Sequence, residues 1–548
     1  MSHSPDIHPA PLQTVESGAD KKDDVLQYRP LDETDLVTSH ETNDLRRGLA
    51  QRHVSMIALA GAIGTGLFLS LGGAIQSGGP LGALLGYMVI GLVVCAVQFA
   101  LGEVTALLPV TGSFVRQAEF LADPAMGFAL GWNIVYGNWL SVPSEITAIC
   151  VLFQFWTDLN AAVFIVIFIL LSTLVGFAFI GVYGEIEFAF AILKILLVIG
   201  LILFGLIVDL GGVSGVGRIG FRYWQHPGAF VEYLATGSWG KFLGFWSTMI
   251  NAVFSFAGVE SIAMAAAETR NPRRAIPRAC KRVFARVSLF YVLAVLIVGM
   301  LVASDDERLG EGEGTAAQSP FVIAASAAGI KAIPSIVNAV VITSAFSSSN
   351  QALLAGTRVL YGLAIKRQAP SVFLKTNRWG VPYLCVLTYT LFSFLAFMSF
   401  SENALTVFYW FLDLVGCGVL ISWIAILFNH IRLNMALKRQ GIPRSALPWS
   451  NWWTPYSSWI AIVFCFILIL TNGFAVFTKG NWSAAGFVTA YLDIGLVAAA
   501  YLIWKIVKKT RWVGLDEIPL EEVLERIQPE QVEEEKRGWV KWVSWIWD

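Results

Sequence analysis

The chain has 548 residues, 56% of them hydrophobic and 14% charged, with a formal net charge of −1. A water-soluble fold of this length cannot bury so much apolar surface. The near-zero net charge also argues against a nucleic-acid partner.

Residues 1–50 hold few aromatics and many acids (Asp20, Asp23, Asp24, Asp32, Glu33, Asp35), and are expected to be disordered. No apolar leader opens them, so the first spanning segment is expected to act as the insertion signal. Long apolar runs then recur up to Val507, many of them above the ~18 residues a spanning helix needs. They predict an all-α membrane protein of twelve transmembrane helices, in a transporter domain over residues 51–510. The predicted spans are 54–75, 81–108, 126–155, 161–180, 187–208, 243–267, 283–302, 333–357, 382–400, 404–429, 457–477 and 483–507. The apolar run from Pro320 to Ile330 reads as a separate surface helix leading into the eighth.

The first span carries Gly61-Ala62-Ile63-Gly64-Thr65-Gly66-Leu67-Phe68. Glycine weakens a helix, and lipid tolerates unpaired backbone only where it lines a cavity. The run therefore reads as a broken helix at a binding site, with close helix packing through small residues as the alternative. The second span holds Glu103 and the third Glu145. Each is either a proton-path residue or a structural hydrogen-bond acceptor. Lys194 lies well inside the fifth span and is costly there unless it is functional or snorkels to the span's end.

The sixth span is interrupted at Phe254-Ser255-Phe256-Ala257-Gly258-Val259-Glu260-Ser261. A glycine beside an acid in mid-membrane is expensive unless both serve a cavity. The two interrupted spans stand five apart, which is the sequence pointer to two inverted five-helix repeats with broken helices 1 and 6. The break at Ile63, Gly64, Thr65 and Gly66 exposes N–H groups that favour a carboxylate. The break around Phe256, Gly258 and Glu260 offers carbonyls and an acid that favour an ammonium. An α-amino acid has both poles, as do some other ligands.

In the eighth span Ser347-Ser348-Ser349-Asn350-Gln351 reads as an interhelical hydrogen-bonding run. In the tenth, Phe408, Trp410 and Phe411 are candidates for an outer gate. Lysine and arginine concentrate after spans 6 (Arg270, Arg273, Arg274, Arg278, Lys281, Arg282), 8, 10 and 12. By the positive-inside rule this puts both termini in the cytoplasm, although the loop after span 5, with Arg218, Arg222 and Lys241, runs against it. The C-tail, 511–548, has helical apolar spacing at Leu520, Val523, Leu524 and Ile527, then Trp539, Trp542, Trp545 and Trp547 beside Lys536, Arg537 and Lys541. That end reads either as an interfacial segment or as a tail packed on the protein's own cytoplasmic face. The six cysteines are scattered without metal spacing. No nucleophile triad, metal cluster or phosphate loop stands out, so no enzyme activity and no cofactor are expected.

Several stretches together resemble one family. They are Arg52-His53-Val54-Ser55-Met56-Ile57-Ala58 leading into the glycine run, Leu101-Gly102-Glu103, Pro109-Val110-Thr111-Gly112-Ser113-Phe114, Phe221-Arg222-Tyr223-Trp224, Ala267-Glu268-Thr269-Arg270-Asn271-Pro272-Arg273-Arg274 and Gly380-Val381-Pro382-Tyr383. The chain resembles the fungal amino-acid permeases of the yeast amino-acid transporter family, within the amino acid–polyamine–organocation superfamily. The resemblance implies ten core helices plus two peripheral ones, and proton-driven import of an amino acid across the plasma membrane. It implies that Thr65 and Gly66 touch the substrate carboxylate, and that Phe256, Gly258 and Glu260 line the amino-group and side-chain region. Family members often read Gly-Thr-Glu where this chain reads Gly258-Val259-Glu260, so a hydroxyl is lost there. It also implies coupling through Lys194, where sodium-coupled relatives hold a sodium ion, with Glu103 as the next candidate. A carrier of γ-aminobutyrate or a polyamine, and a non-transporting amino-acid sensor, are the alternatives.

Overall fold

The structure, a computed structural model, describes residues 64–110, 112–177, 180–213, 217–264, 272–310, 319–327, 329, 332–377, 380–400 and 404–527. Gly61 to Ile63, the N-terminal tail, the basic residue Arg270 and the tryptophan-rich end lie outside the described residues. Among those described, every regular element is a helix. The main ones are α1 (Gly66–Leu107), α2 (Ser113–Leu121), α3 (Pro124–Phe153), α4 (Ala161–Gly176), α5 (Ile180–Asp209), α6 (Gly237–Ser255), α7 (Pro272–Leu301), α8 (Pro320–Ala327), α9 (Ala332–Ile365), α10 (Tyr383–Phe400), α11 (Ala404–Arg439), α12 (Thr454–Leu470), α13 (Ala484–Lys508) and α14 (Leu520–Ile527).

Among the described residues six helices are long and apolar enough to cross a membrane: α1, the part of α5 from Ala189 to Asp209, α9, α10, α11 and α13. Shorter apolar helices run over Ala161–Gly176, Ser288–Leu301 and Thr454–Leu470. Large apolar side chains such as Leu170, Leu174, Leu196, Ile503 and Ile506 are exposed on them. Such a surface suits lipid and not water.

Local sequence explains several boundaries. Asp123 caps α3 by accepting from the Ala125 N–H at 2.9 Å, and Pro124 takes the first helical position, where no donor is needed. Asn160 caps α4 and Ser483 caps α13 in the same way. Inside α1, Gly79 adopts φ +76° and ψ 172°, followed by Pro80. A left-handed glycine and a residue without an N–H turn the chain there, so α1 is two arms, residues 66–78 and 80–107.

The core gathers around α1, α3, α6, α7 and α11, which pack on one another. One sequence expectation is corrected here. The Pro320–Ile330 run does form its own helix, α8, but not on the surface: Pro320 to Ala325 are all buried. The Phe321 ring lies 5.9 Å from that of Phe68, tilted by 55°, and the Ser319 hydroxyl donates to the Phe68 carbonyl at 2.9 Å. The apolar stretch Pro320–Ala325 has no polar face to offer water.

After α13 the chain turns back and docks on the α2 end of the bundle. The Val513 N–H donates to the Ala122 carbonyl at 2.8 Å, and Arg432 of α11 donates to the carbonyls of Leu121 and Val513. Gln440 donates to the carbonyls of Leu515 and Ile518, both at 2.8 Å. Val513, Ile518, Leu520 and Val523 complete a small apolar cluster with Leu107, Leu121, Leu433 and Leu437. The expected helix at the C-terminal side is α14.

Candidate functional site

Helix α6 ends at Ser255, and the chain runs as turns through Phe256–Glu260 before a short helical turn at Ser261–Met264. Gly258 sits at φ +89°, a conformation open to glycine and strained for other residues. The break leaves carbonyls without helical partners, which apolar surroundings punish. Side chains from other helices supply donors. The Tyr291 hydroxyl of α7 donates to the Ser255 carbonyl at 2.7 Å, and Gln98 of α1 donates to the Val259 carbonyl at 2.6 Å. The Trp423 indole N–H of α11 reaches Glu260 Oε2 at 3.3 Å. The Ser255 hydroxyl donates to the Asn251 carbonyl at 2.9 Å and lies 2.9 Å from the Tyr87 hydroxyl.

The start of α1 meets this break. Helical geometry begins at Thr65, and the first turn, Gly66–Ser70, is a π-helical one. A Cβ on Gly66 would stand 2.6 Å from the Ser255 Cα, so the two backbones touch. The earlier part of the expected first break, including Ile63, lies outside the described residues.

Between the two ends is a cavity of about 160 Å³. The α1 start lines it with Gly64, Thr65 and Gly66, and the α6 break with Phe254, Ser255, Ala257, Gly258 and Glu260. Helix α3 adds Asn133, Asn138, Ser141 and Glu145, α9 adds Ser348 and Gln351, and α11 adds Val415, Gly418, Val419 and Ser422. Glu145 lies beside Thr65 and within electrostatic reach of Lys194. The Thr65 side chain and Glu145 are thus two buried polar groups side by side in the cavity wall.

Lys194 is fully buried on α5, behind the cavity wall. Its ammonium lies 3.5 Å from the Ser348 hydroxyl, which lines the cavity, and interacts with Glu187 and Glu145. Glu187 in turn accepts from the Ser347 hydroxyl at 2.6 Å.

The sequence pattern of the family described as "Amino acid permease" matches residues 53–515. A proline-specific permease of Emericella nidulans is 38% identical over 511 residues, covering 91% of this chain and 93% of that one. A dicarboxylic amino acid permease of Saccharomyces cerevisiae is 34% identical, covering 93% and 86%. A lysine-specific permease of the same yeast is 37% identical, covering 88% and 79%. The chain belongs to the amino acid permease family. Among solved structures, a manganese transporter of Eremococcus coleocola matches with a TM-score of 0.54 at 13% identity, covering 86% of this chain and 96% of that one. At that identity the likeness concerns the fold alone.

In this permease, six of the seven predicted substrate-site residues fall within the described residues. Gly64, Thr65, Gly66, Gly258 and Glu260 all line the cavity. Phe256 is buried just behind it, its ring 4.7 Å from Tyr291 and 6.4 Å from Tyr87. Glu103 stands apart. It accepts from the Asn451 N–H and the Arg444 guanidinium, both at 2.8 Å, and pairs with His430 Nε2 at 2.8 Å. Both its oxygens are engaged there, towards the C-terminal end of α1. Phe408 backs the cavity wall, 5.9 Å from the Phe254 ring. The polar run of α9 does two things: Ser347 pairs with Glu187, while Ser348 and Gln351 line the cavity. Sequence reasoning missed Asn133, Ser422, Glu187 and the donors Gln98, Tyr291 and Trp423. Gln98 and Asn133 are isolated polar residues in apolar runs, the signal that drew attention to Lys194.

Proposed function

We propose that this permease imports an amino acid across the plasma membrane by proton symport, with the cavity between α1 and the α6 break as its substrate site. The observation that carries the reading is the pairing of poles. The backbone at Gly64–Gly66, where α1 begins, is the pole for a carboxylate, and Glu260 with Glu145 is the pole for an ammonium. Twelve spans in two inverted five-helix repeats, with two peripheral helices and both termini cytoplasmic, is the architecture this mechanism uses. In that arrangement the α2 end of the bundle is the cytoplasmic one.

The cavity's chemistry also narrows the substrate. Its described lining includes two glutamates and no lysine, arginine or histidine, with Phe254, Ala257, Val415 and Val419 as apolar wall. A second carboxylate on the substrate would find no partner there. A neutral amino acid such as proline, or a cationic one such as lysine, suits it better than a dicarboxylic one.

Protonated Lys194 ties α5 to Ser348 and Glu145, next to the start of α1, and release of the proton loosens that tie. A state-dependent difference in affinity is what lets a proton gradient drive alternation. A charge crossing the full field contributes about 2.3 kcal/mol per 100 mV. Initial uptake of labelled amino acids into a transport-deficient host, with unlabelled competitors, tests the reading. Uptake should be saturable, collapse with a protonophore and ignore sodium removal. Expression at the surface with no uptake of any amino acid would sink it.

A further inference from the structure

Helix α13 takes no part in the cavity wall, yet one of its side chains bears on it. Asp493 is 1% exposed, nine residues into the helix, where α13 packs against α3 and α11. The groups nearest the carboxylate that can donate to it are neutral: the Tyr136 hydroxyl of α3 and the Gly418 N–H of α11. A Cβ on Gly418 would stand 3.2 Å from Asp493 Oδ2 and 3.6 Å from Asn133 Oδ1. The Asn133 amide cannot be turned round, because its NH₂ group donates to the Gly418 carbonyl at 3.0 Å, and also to the Ser422 hydroxyl at 3.2 Å. Its Oδ1 is therefore left as an acceptor with no donor.

Acceptor oxygens from α13 and α3 thus border the same gap above Gly418. A buried carboxylate held only by neutral donors is costly in apolar surroundings. A single proton bound to Asp493 removes the charge and places an O–H at the gap that Asn133 Oδ1 also borders.

We propose that Asp493 is a proton-binding site whose state reaches the substrate cavity through Asn133. The proton comes from water and returns to it, and no other bond is made or broken. Asn133, Gly418 and Ser422 all line the cavity, so a change in how Asn133 is held changes the wall the substrate meets. The inference rests on that cavity being the amino acid site. The titratable groups that face Asp493 are Tyr136 from α3 and Cys417 from α11, with Asp413 beside Cys417 one turn along α11. None of these is a cation that would hold Asp493 as a carboxylate.

Infrared difference spectra of the full-length protein in sodium-free liposomes, acid minus alkaline, test the site. A carbonyl band of a protonated carboxylic acid should appear, be lost in Asp493→Asn, and survive in Glu145→Gln and Glu260→Gln. Saturating proline or lysine should shift the band in the wild type. If the Asn variant does not reach the membrane, Gly418→Ala serves instead, because its methyl group fills the gap and should displace the band. An unchanged spectrum in Asp493→Asn, or in Gly418→Ala, overturns the proposal. A band that answers to sodium instead of pH overturns the proton as ligand. A band lost in Asp493→Asn but blind to a bound amino acid overturns the link to the cavity. Failure of the transport reading looks different: no amino acid binds, while the band and its loss in Asp493→Asn remain.

Discussion

Gly66→Ala adds one methyl group at the point where α1 and α6 touch. Its Cβ would lie 2.6 Å from the Ser255 Cα, 2.9 Å from the Ser255 hydroxyl and 3.1 Å from the Ser255 nitrogen. Relief requires a backbone shift, since two of the three atoms are main chain. Ser255 is poorly placed to give way, with its carbonyl held by Tyr291 and its hydroxyl by Asn251 and Tyr87. Overpacking of this kind costs about 1–3 kcal/mol, and a β-branched residue costs more. The cost falls only on states in which α1 and α6 are in contact. It therefore lowers their population about 5- to 150-fold against states in which the helices have parted. Initial-rate uptake together with surface biotinylation separates this from misfolding. Gly66→Ala should lower uptake at near-normal surface level, and Gly66→Val should abolish it. Uptake by Gly66→Val at the wild-type rate and surface level would refute the reasoning.

Glu260→Gln keeps the Trp423 contact but removes the charge facing an ammonium, so the apparent KM should rise or substrate preference change more than yield falls. A variant that simply fails to reach the surface would make Glu260 structural. Lys194→Ala should lose accumulation against a gradient, and wild-type uptake should fall as external pH rises. Normal concentrating uptake with normal pH dependence in the variant would place coupling elsewhere. Gln98→Ala leaves the Val259 carbonyl unpaired, a loss of about 1–3 kcal/mol, and Gln98→Met, of similar length, offers no donor to replace it. Both should lower thermal stability and transport, and equal melting temperatures for all three proteins would show that the break holds itself.

Much of the candidate site was legible because membranes make certain residues conspicuous. Gly258 in an apolar run marked the α6 break, Gly64 and Gly66 marked the start of α1, and lone charges marked Glu145, Lys194 and Glu260. Charge alone did not say where each would go. Glu103 and Glu145 look alike in sequence, yet one is saturated by Asn451, Arg444 and His430 and the other faces the cavity. Those partners lie more than 300 positions away along the chain, and no local pattern encodes them. Asn133 and Gln98 escaped notice because an uncharged polar residue in a helix has no spacing signature of its own. The α8 helix was placed on the surface for a related reason: a mostly apolar run states that a segment avoids water, but lipid and protein interior satisfy that demand equally.

The docked segment that follows α13 joins α2 to α11 without touching the cavity. Arg432 holds Leu121 and Val513 together, and Val513 reaches back to Ala122. Any motion that parts α2 from α11 must either break these bonds or carry the segment along with one partner. Under the proposed alternating access, its free energy belongs to the difference between the open and closed forms of that face, and not to the affinity for the amino acid. A ligand or modification acting on residues 510–524 is then expected to change turnover more than specificity.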